Sequence, residues 1–183
     1  PGLFLEEARR LGVTTTIGVD LNPWAIAAAR ERGVDARLGS IETIPETTRF
    51  DAIVMLDVLE HVPAPLPFLA ALHARLRPDG RLLVMTPNVR SLLARVSGRR
   101  WVSLKIPEHV RYYSPRGIRS VLGAAGFEVQ ALRGTGQYVT VAFFLERLRR
   151  LVPGAARLLQ GLAAALHANA RVIWLTNGSI DVL

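Results

Sequence analysis

Thr14-Thr15-Thr16-Ile17-Gly18-Val19-Asp20-Leu21-Asn22-Pro23-Trp24 is the stretch on which the fold turns. Its β-branched run, Thr14 to Val19, suits an extended strand, because two heavy atoms on Cβ crowd a helix and pack well on a pleated surface. Asp20 closes that strand. Asn22 then offers a side-chain oxygen to unpaired helical N–H groups, and Pro23 sits where a missing N–H costs nothing. An Ala-rich helix follows from Trp24 to Arg32 and stops at Gly33. A strand feeding directly into a helix is the repeating half of a parallel sheet.

The pattern extends in both directions. Upstream, Leu3 to Leu11 has helical apolar spacing and ends at Gly12. Downstream come a short strand at Val34–Leu38, a buried strand at Asp51–Leu56, a helix at Leu66–Leu76, the turn Pro78-Asp79-Gly80 and a strand at Arg81–Thr86. Ser114-Pro115 opens a helix with Ile118, Val121, Leu122 and Ala125 on one face, and Gly126 closes it before a strand at Phe127–Leu132. From Phe143 to about Leu175 the spacing predicts amphipathic helix broken at Pro153-Gly154, and Ile180–Leu183 reads as a final strand cut short. The alternation predicts an α/β fold: a Rossmann-like, doubly wound, mainly parallel sheet with helices on both faces and a C-terminal helical appendage.

Composition sets bounds. A chain of 183 residues, half of them hydrophobic, can bury one substantial core. The absence of cysteine excludes disulfides and thiolate metal sites and favours an intracellular setting. Pro1-Gly2 opens the chain with neither an initiator Met nor a secretion signal, which fits a piece of a longer chain. No apolar run reaches the ~18 residues a spanning helix needs. The net charge of +8 is uneven: residues 1–89 hold nine Arg against eleven acids, residues 90–183 fourteen basic groups against four acids.

Ligands of open parallel sheets bind beyond the carboxyl ends of the strands, so the polar groups there carry the most weight. Asp20 is such a group: its carboxylate can accept two hydrogen bonds from a ribose diol, although an Asp after a strand also serves to start a turn.

Gly18-Val19-Asp20, Phe50-Asp51-Ala52-Ile53-Val54, Asp57-Val58-Leu59-Glu60-His61-Val62 and Leu76-Arg77-Pro78-Asp79-Gly80 occur in this order. Together they resemble the class I S-adenosylmethionine-dependent methyltransferases. The likeness continues through Thr86-Pro87-Asn88 and Glu108-His109-Val110-Arg111-Tyr112-Tyr113-Ser114-Pro115 to Gly126-Phe127. It is similar to the bacterial branch that includes ubiquinone-biosynthesis O-methyltransferases. The resemblance implies a domain over residues 1–133 whose first strand is missing and whose segment 88–113 lies on the substrate side. A helical cap over 134–178 and the start of a last sheet strand at 179–183 would follow. Such a chain alone is expected to fall short of full activity.

The same resemblance implies S-adenosylmethionine as cofactor. Gly2 would lie by its methionine end, Asp20 would hold the ribose hydroxyls, and Leu21 and Ile41 would line the adenine pocket. Ser40 stands where relatives carry an Asp that bonds the adenine amino group, which leaves adenine recognition partly unassigned. Leu56 and Asp57 would end a strand beside the transferring methyl group. Methyl transfer is an in-line displacement that needs chiefly alignment. If the acceptor is a hydroxyl, His61 or His109 can take its proton.

Asp57, Glu60 and His61 share a face if a helix starts there, and some relatives bind a divalent metal with such a cluster, to which His109 would add a ligand. The favoured reading is metal-free, with Glu60 and His61 stabilising the turn before Pro63. Arg90, Arg95, Arg99, Arg100, Lys105, Arg111, Arg116 and Arg119 face the single acid Glu108 in their segment, which suits an anionic or lipophilic small-molecule acceptor better than a nucleic acid. Trp101, Tyr112 and Tyr113 would wall the acceptor or pack under the loop. Arg147, Arg149, Arg150 and Arg157 among leucines would cover the active site or rest on an anionic membrane through residues 145–175, so a cytoplasmic or membrane-peripheral bacterial enzyme is expected. Two alternatives compete: a catalytically degenerate binding module on the same fold, and a nicotinamide-dependent dehydrogenase, which also uses an Asp after a strand.

Overall fold

The computed structural model describes residues 1–149 and 152–183, so Arg150 and Leu151, expected in the C-terminal helices, lie outside the described residues. The chain forms two compact units, Pro1–Phe50 and Asp51–Leu183.

The first unit carries helix α1 (Leu3–Arg10), strand β1 (Ile17–Asp20), helix α2 (Pro23–Glu31) and strand β2 (Asp35–Leu38). The Asn22 side chain accepts hydrogen bonds from the Trp24 and Ala25 N–H groups, and Pro23 opens α2 as its composition requires. Strands β1 and β2 pair in parallel, Ile17 opposite Asp35 and Asp20 opposite Leu38. Ile26 and Ala29 of α2 pack with Val34 and Ala36, and Leu5 of α1 leans on that cluster. The Arg30 guanidinium closes the turn by donating to the Ala36 carbonyl.

The second unit continues with β3 (Phe50–Leu56), α3 (Pro65–His73), β4 (Leu76–Pro87), α4 (Leu92–Ser97), α5 (Pro115–Ala124), β5 (Leu132–Thr140), α6 (Val141–Arg149), α7 (Pro153–Ala165) and β6 (Val172–Val182). Its sheet has the order β3-β4-β6-β5. Strand β6 lies antiparallel between β4 and β5, which therefore run in the same sense. Leu59, Leu69, Val84 and Ile118 are fully enclosed and anchor its core. Ser114 caps α5 through the Gly117 N–H, as its Ser-Pro start predicts.

Three expectations need correction. The stretch from Phe143 to about Leu175 is helical only over α6 and α7; its end joins β6, because Val172-Ile173-Trp174 is β-branched and aromatic and pairs along β5. The last strand therefore begins at Val172, not at 179 or 180, and the helical span of 134–178 is flanked by strand at both ends. The strand expected at Phe127–Leu132 instead begins at Leu132 and runs to Thr140. The β5–β6 register jumps between Thr135↔Ser179 and Gly136↔Thr176, a bulge in which Gly178 takes a left-handed φ of 76°.

Candidate active site

In the first unit, Asp20 stands at the carboxyl end of β1. Its Oδ1 accepts the Asn22 N–H at 2.8 Å, which fixes the orientation of an otherwise exposed carboxylate. Gly2 precedes α1 with φ 79°, and a Cβ there would lie 3.0 Å from the Ala29 Cα. Only glycine allows that turn and that approach together. Leu21 is exposed, Ile41 is buried, and Ser40 precedes the 3₁₀ turn Ile41–Thr43, its carbonyl taking the Thr43 hydroxyl at 2.7 Å. Next to these, a serine hydroxyl offers a nucleoside base a neutral donor or acceptor.

In the second unit, β3 ends at Leu56, which is 41% exposed, and Asp57 follows in the left-handed region at φ 52°. Its N–H donates to the Met85 carbonyl at 3.0 Å, holding the strained residue against β4. No α-helix starts there. A single 3₁₀ turn, Leu59–His61, replaces it, and the enclosed Leu59 draws Glu60 inward until it is 1% exposed. Thr86, at the end of β4, donates its hydroxyl to Glu60 Oε2 at 2.9 Å, whereas Oε1 has no partner.

The chain returns to this turn fifty residues later. The Val110 and Arg111 N–H groups donate to the Glu60 carbonyl, and the Arg111 guanidinium donates to the Pro63 carbonyl. This stapling brings the His109 ring to 4.7 Å from that of His61, edge to face at 87°. His61 Nδ1 lies 2.8 Å from the Glu108 carbonyl, which makes that nitrogen the protonated one and leaves Nε2 as acceptor when the ring is neutral. His109 is buried, and its Nδ1 has no hydrogen-bond partner.

Burial dominates the electrostatics. It pushes the Glu60 carboxyl above the usual carboxylate range, with Asp57 adding to the rise and Thr86 opposing it. It raises Asp57 too, against the attraction of His109, Lys105 and His61. It lowers His109, helped by the positive charges of His61 and Lys105, so that ring prefers to be neutral.

Glu60, His61 and His109 each present a ligating atom within 4.8 Å of the others, whereas Asp57 stands outside that group. Of the Asp57, Glu60 and His61 cluster with His109 as a further ligand, Glu60, His61 and His109 lie together and Asp57 lies outside the group. One carboxylate and two imidazoles, with two buried atoms unpartnered, form a donor set that fits a divalent transition ion.

Asp57, Glu60, His61 and His109 line a cavity of about 650 Å³. Leu93 and Val96 of α4 and Phe144 and Leu148 of α6 give it apolar walls, and Lys105 and Arg147 add positive charge. The sequence reading places Arg147 in helices that cover the active site, and Arg147 is among the α6 residues lining the cavity; Phe143 and Phe144, also in its lining, carry no role in that reading. Thr86 was likewise quoted without a role. Of the arginines in the 90–119 segment, Arg100 lines the cavity and Arg111 serves as the staple. Trp101 and Tyr113 are buried beneath the loop and do not line the cavity.

A family model described as "Methyltransferase domain" matches residues 1–132. Over 125 residues, 63% of this chain and 43% of the relative, the sequence is 35% identical to the mitochondrial ubiquinone biosynthesis O-methyltransferase of Schizosaccharomyces pombe. It is 32% identical over 147 residues, 73% of this chain and 62% of the relative, to the ubiquinone biosynthesis O-methyltransferase of Nitrosococcus oceani. The chain spans about half the length of the curated relatives it matches. Among solved structures, a putative methyltransferase of Bacillus halodurans superposes with TM-score 0.61 at 19% identity, covering 99% of this chain and 87% of that one. An S-adenosylmethionine-dependent methyltransferase of Mesorhizobium loti superposes with TM-score 0.61 at 16% identity, covering 99% and 84%. At these identities the structural likeness speaks to the fold.

Proposed function

The chain belongs to the class I S-adenosylmethionine-dependent methyltransferases, and from that premise we propose that it serves methyl transfer to a hydroxyl of a small-molecule acceptor held in the α4–α6 cavity. The observation that carries this reading is the buried, neutral-preferring His109 imidazole at a largely apolar cavity. The neutral imidazole is the form able to accept a proton, and burial favours that form at His109.

S-adenosylmethionine, when bound, would supply an electrophilic methyl group. In the first unit, Asp20 is suited to the ribose diol, Gly2 lets the chain turn into α1 close against Ala29, and Leu21, Ser40 and Ile41 would supply the contacts for the base. In the second unit, Leu56 and Asp57 close β3, and α4 and α6 give the cavity for the acceptor its apolar walls. In the cavity of the second unit a neutral His109 ring nitrogen would take the proton of an acceptor hydroxyl. His61 stands ready as relay at 4.7 Å between ring centres. Thr86 holds Glu60 in place beside them. Family membership disfavours the dehydrogenase alternative, which shares only the carboxylate after β1.

A second reading rests on the gathering of Glu60, His61 and His109: these three would hold a divalent ion, which supplies Lewis-acid activation of a hydroxyl. Calorimetric titration of zinc or manganese would give a stoichiometric site that His109→Gln removes, or no site at all.

The main reading is tested by incubating the protein with methyl-labelled S-adenosylmethionine and a panel of catechols and other phenols. Transfer lost in His109→Gln is expected. Transfer that survives that change at the wild-type rate overturns the role of His109, and no transfer to any acceptor while the cofactor product binds favours the degenerate module.

A further inference from the structure

Helix α6 meets the cavity through Phe143, Phe144, Arg147 and Leu148, at positions i, i+1, i+4 and i+5 of one helical face. The buried Leu145 anchors the helix to the unit. The Arg147 guanidinium carbon lies 4.9 Å from the centre of the Phe143 ring, one turn earlier. That contact favours the charge and narrows the rotamers of a long side chain, yet it satisfies none of the guanidinium N–H groups.

Arg147 has neither a carboxylate partner nor a hydrogen bond among the described residues. Glu146, the one acid of α6, is engaged by Arg149, whose Nε and Nη2 both donate to it. Lys105 belongs instead to the loop of His109, whose N–H donates to the Lys105 carbonyl at 2.7 Å, and its charge acts on Asp57 and His109. Arg147 thus brings an uncommitted donor fork to a wall that is otherwise apolar. A planar guanidinium matches a carboxylate, which accepts two parallel N–H bonds, and the aromatic and aliphatic side chains beside it suit the ring or chain that bears that carboxylate. A phosphate dianion would call for a second uncommitted cation on the same wall, and a neutral acceptor would leave the fork without a partner.

We propose that Arg147, set over Phe143, is the specificity-determining residue of this cavity, selecting acceptors whose apolar body carries a carboxylate in addition to the reacting hydroxyl. The inference rests on the reading of the cavity as the acceptor site. It assigns Arg147 to acceptor binding and not to proton transfer, so the loss of Arg147 is felt in the binding of carboxylate-bearing ligands and spares neutral ones.

Fluorescence titration of the protein with 6-hydroxy-2-naphthoate and with 2-naphthol, its counterpart without the carboxylate, tests this at neutral pH, in the presence and absence of S-adenosylhomocysteine. The wild type should bind the naphthoate about tenfold more tightly than 2-naphthol. Arg147→Gln should abolish that preference by weakening the naphthoate alone, and Arg147→Lys, which keeps the charge and loses the fork, should retain part of it. Arg147 is exposed, and unchanged circular dichroism would show that both variants fold. Equal binding of the two compounds by the wild type overturns the proposal and leaves the cavity standing as an acceptor site. So does a preference for the naphthoate that Arg147→Gln leaves intact. Binding of neither compound overturns the proposal together with the reading of the cavity on which it rests.

Discussion

His109 joins the largest number of physical consequences in one side chain. Buried beside His61 and Lys105, it resists protonation, so the form able to accept a proton persists to more acid pH than for an ordinary imidazole. The acid limb of a kcat/KM profile should therefore fall below the usual imidazole range, and His109→Gln should lower kcat roughly a hundredfold or more with a smaller effect on KM. The sign for stability follows from the same shift. The unfolded ring takes up a proton that the folded ring resists, so stability declines as pH falls through the ordinary imidazole range. A series of denaturant midpoints against pH would show that decline, flattened in the variant. Thr86 is the companion residue. Thr86→Val keeps the volume but leaves both Glu60 oxygens without a partner, at a cost of about 1–3 kcal/mol in urea unfolding. An unchanged midpoint would show that Glu60 finds another donor.

At the scale of elements, the caps and turns were readable because their chemistry is local. Asn22, Pro23, Ser114 and Gly126 act on neighbours within three or four residues, and α2 and α5 start where those residues place them. Asn22→Ala should accordingly cost about 1 kcal/mol of stability. The β5–β6 pairing was not readable, because it joins Leu132–Thr140 to Val172–Val182 across two intervening helices, a separation that no local spacing encodes. Glu60 and His61 were recognisable as a pair, yet the group they form with His109 depends on main-chain hydrogen bonds to the Glu60 carbonyl that no spacing encodes. Gly178 belongs to the same class of hidden feature. Its left-handed φ and the Ser91 Oγ at 2.8 Å from a would-be Cβ predict that Gly178→Ala loses about 1–2 kcal/mol or more, read as a lower melting temperature. A melting temperature equal to wild type would mean that the bulge can relax.

At the scale of the whole molecule, the proposed reading gives each unit its own task. The Pro1–Phe50 unit offers the carboxylate, glycine turn and small polar contacts that suit a nucleoside, and the Asp51–Leu183 unit offers a cavity with an imidazole pair. The excess of positive charge is confined to residues 90–183, where the cavity takes a share of it through Arg100, Lys105 and Arg147. Cofactor binding is the claim on which the methyltransferase reading stands. Calorimetric titration of S-adenosylhomocysteine into the wild type and into Asp20→Ala tests it most directly. The expected result is saturable one-to-one binding by the wild type that the Asp20→Ala variant loses while keeping its circular dichroism. A folded wild type that binds no S-adenosylhomocysteine, or a variant that binds it as tightly as the wild type, would contradict it.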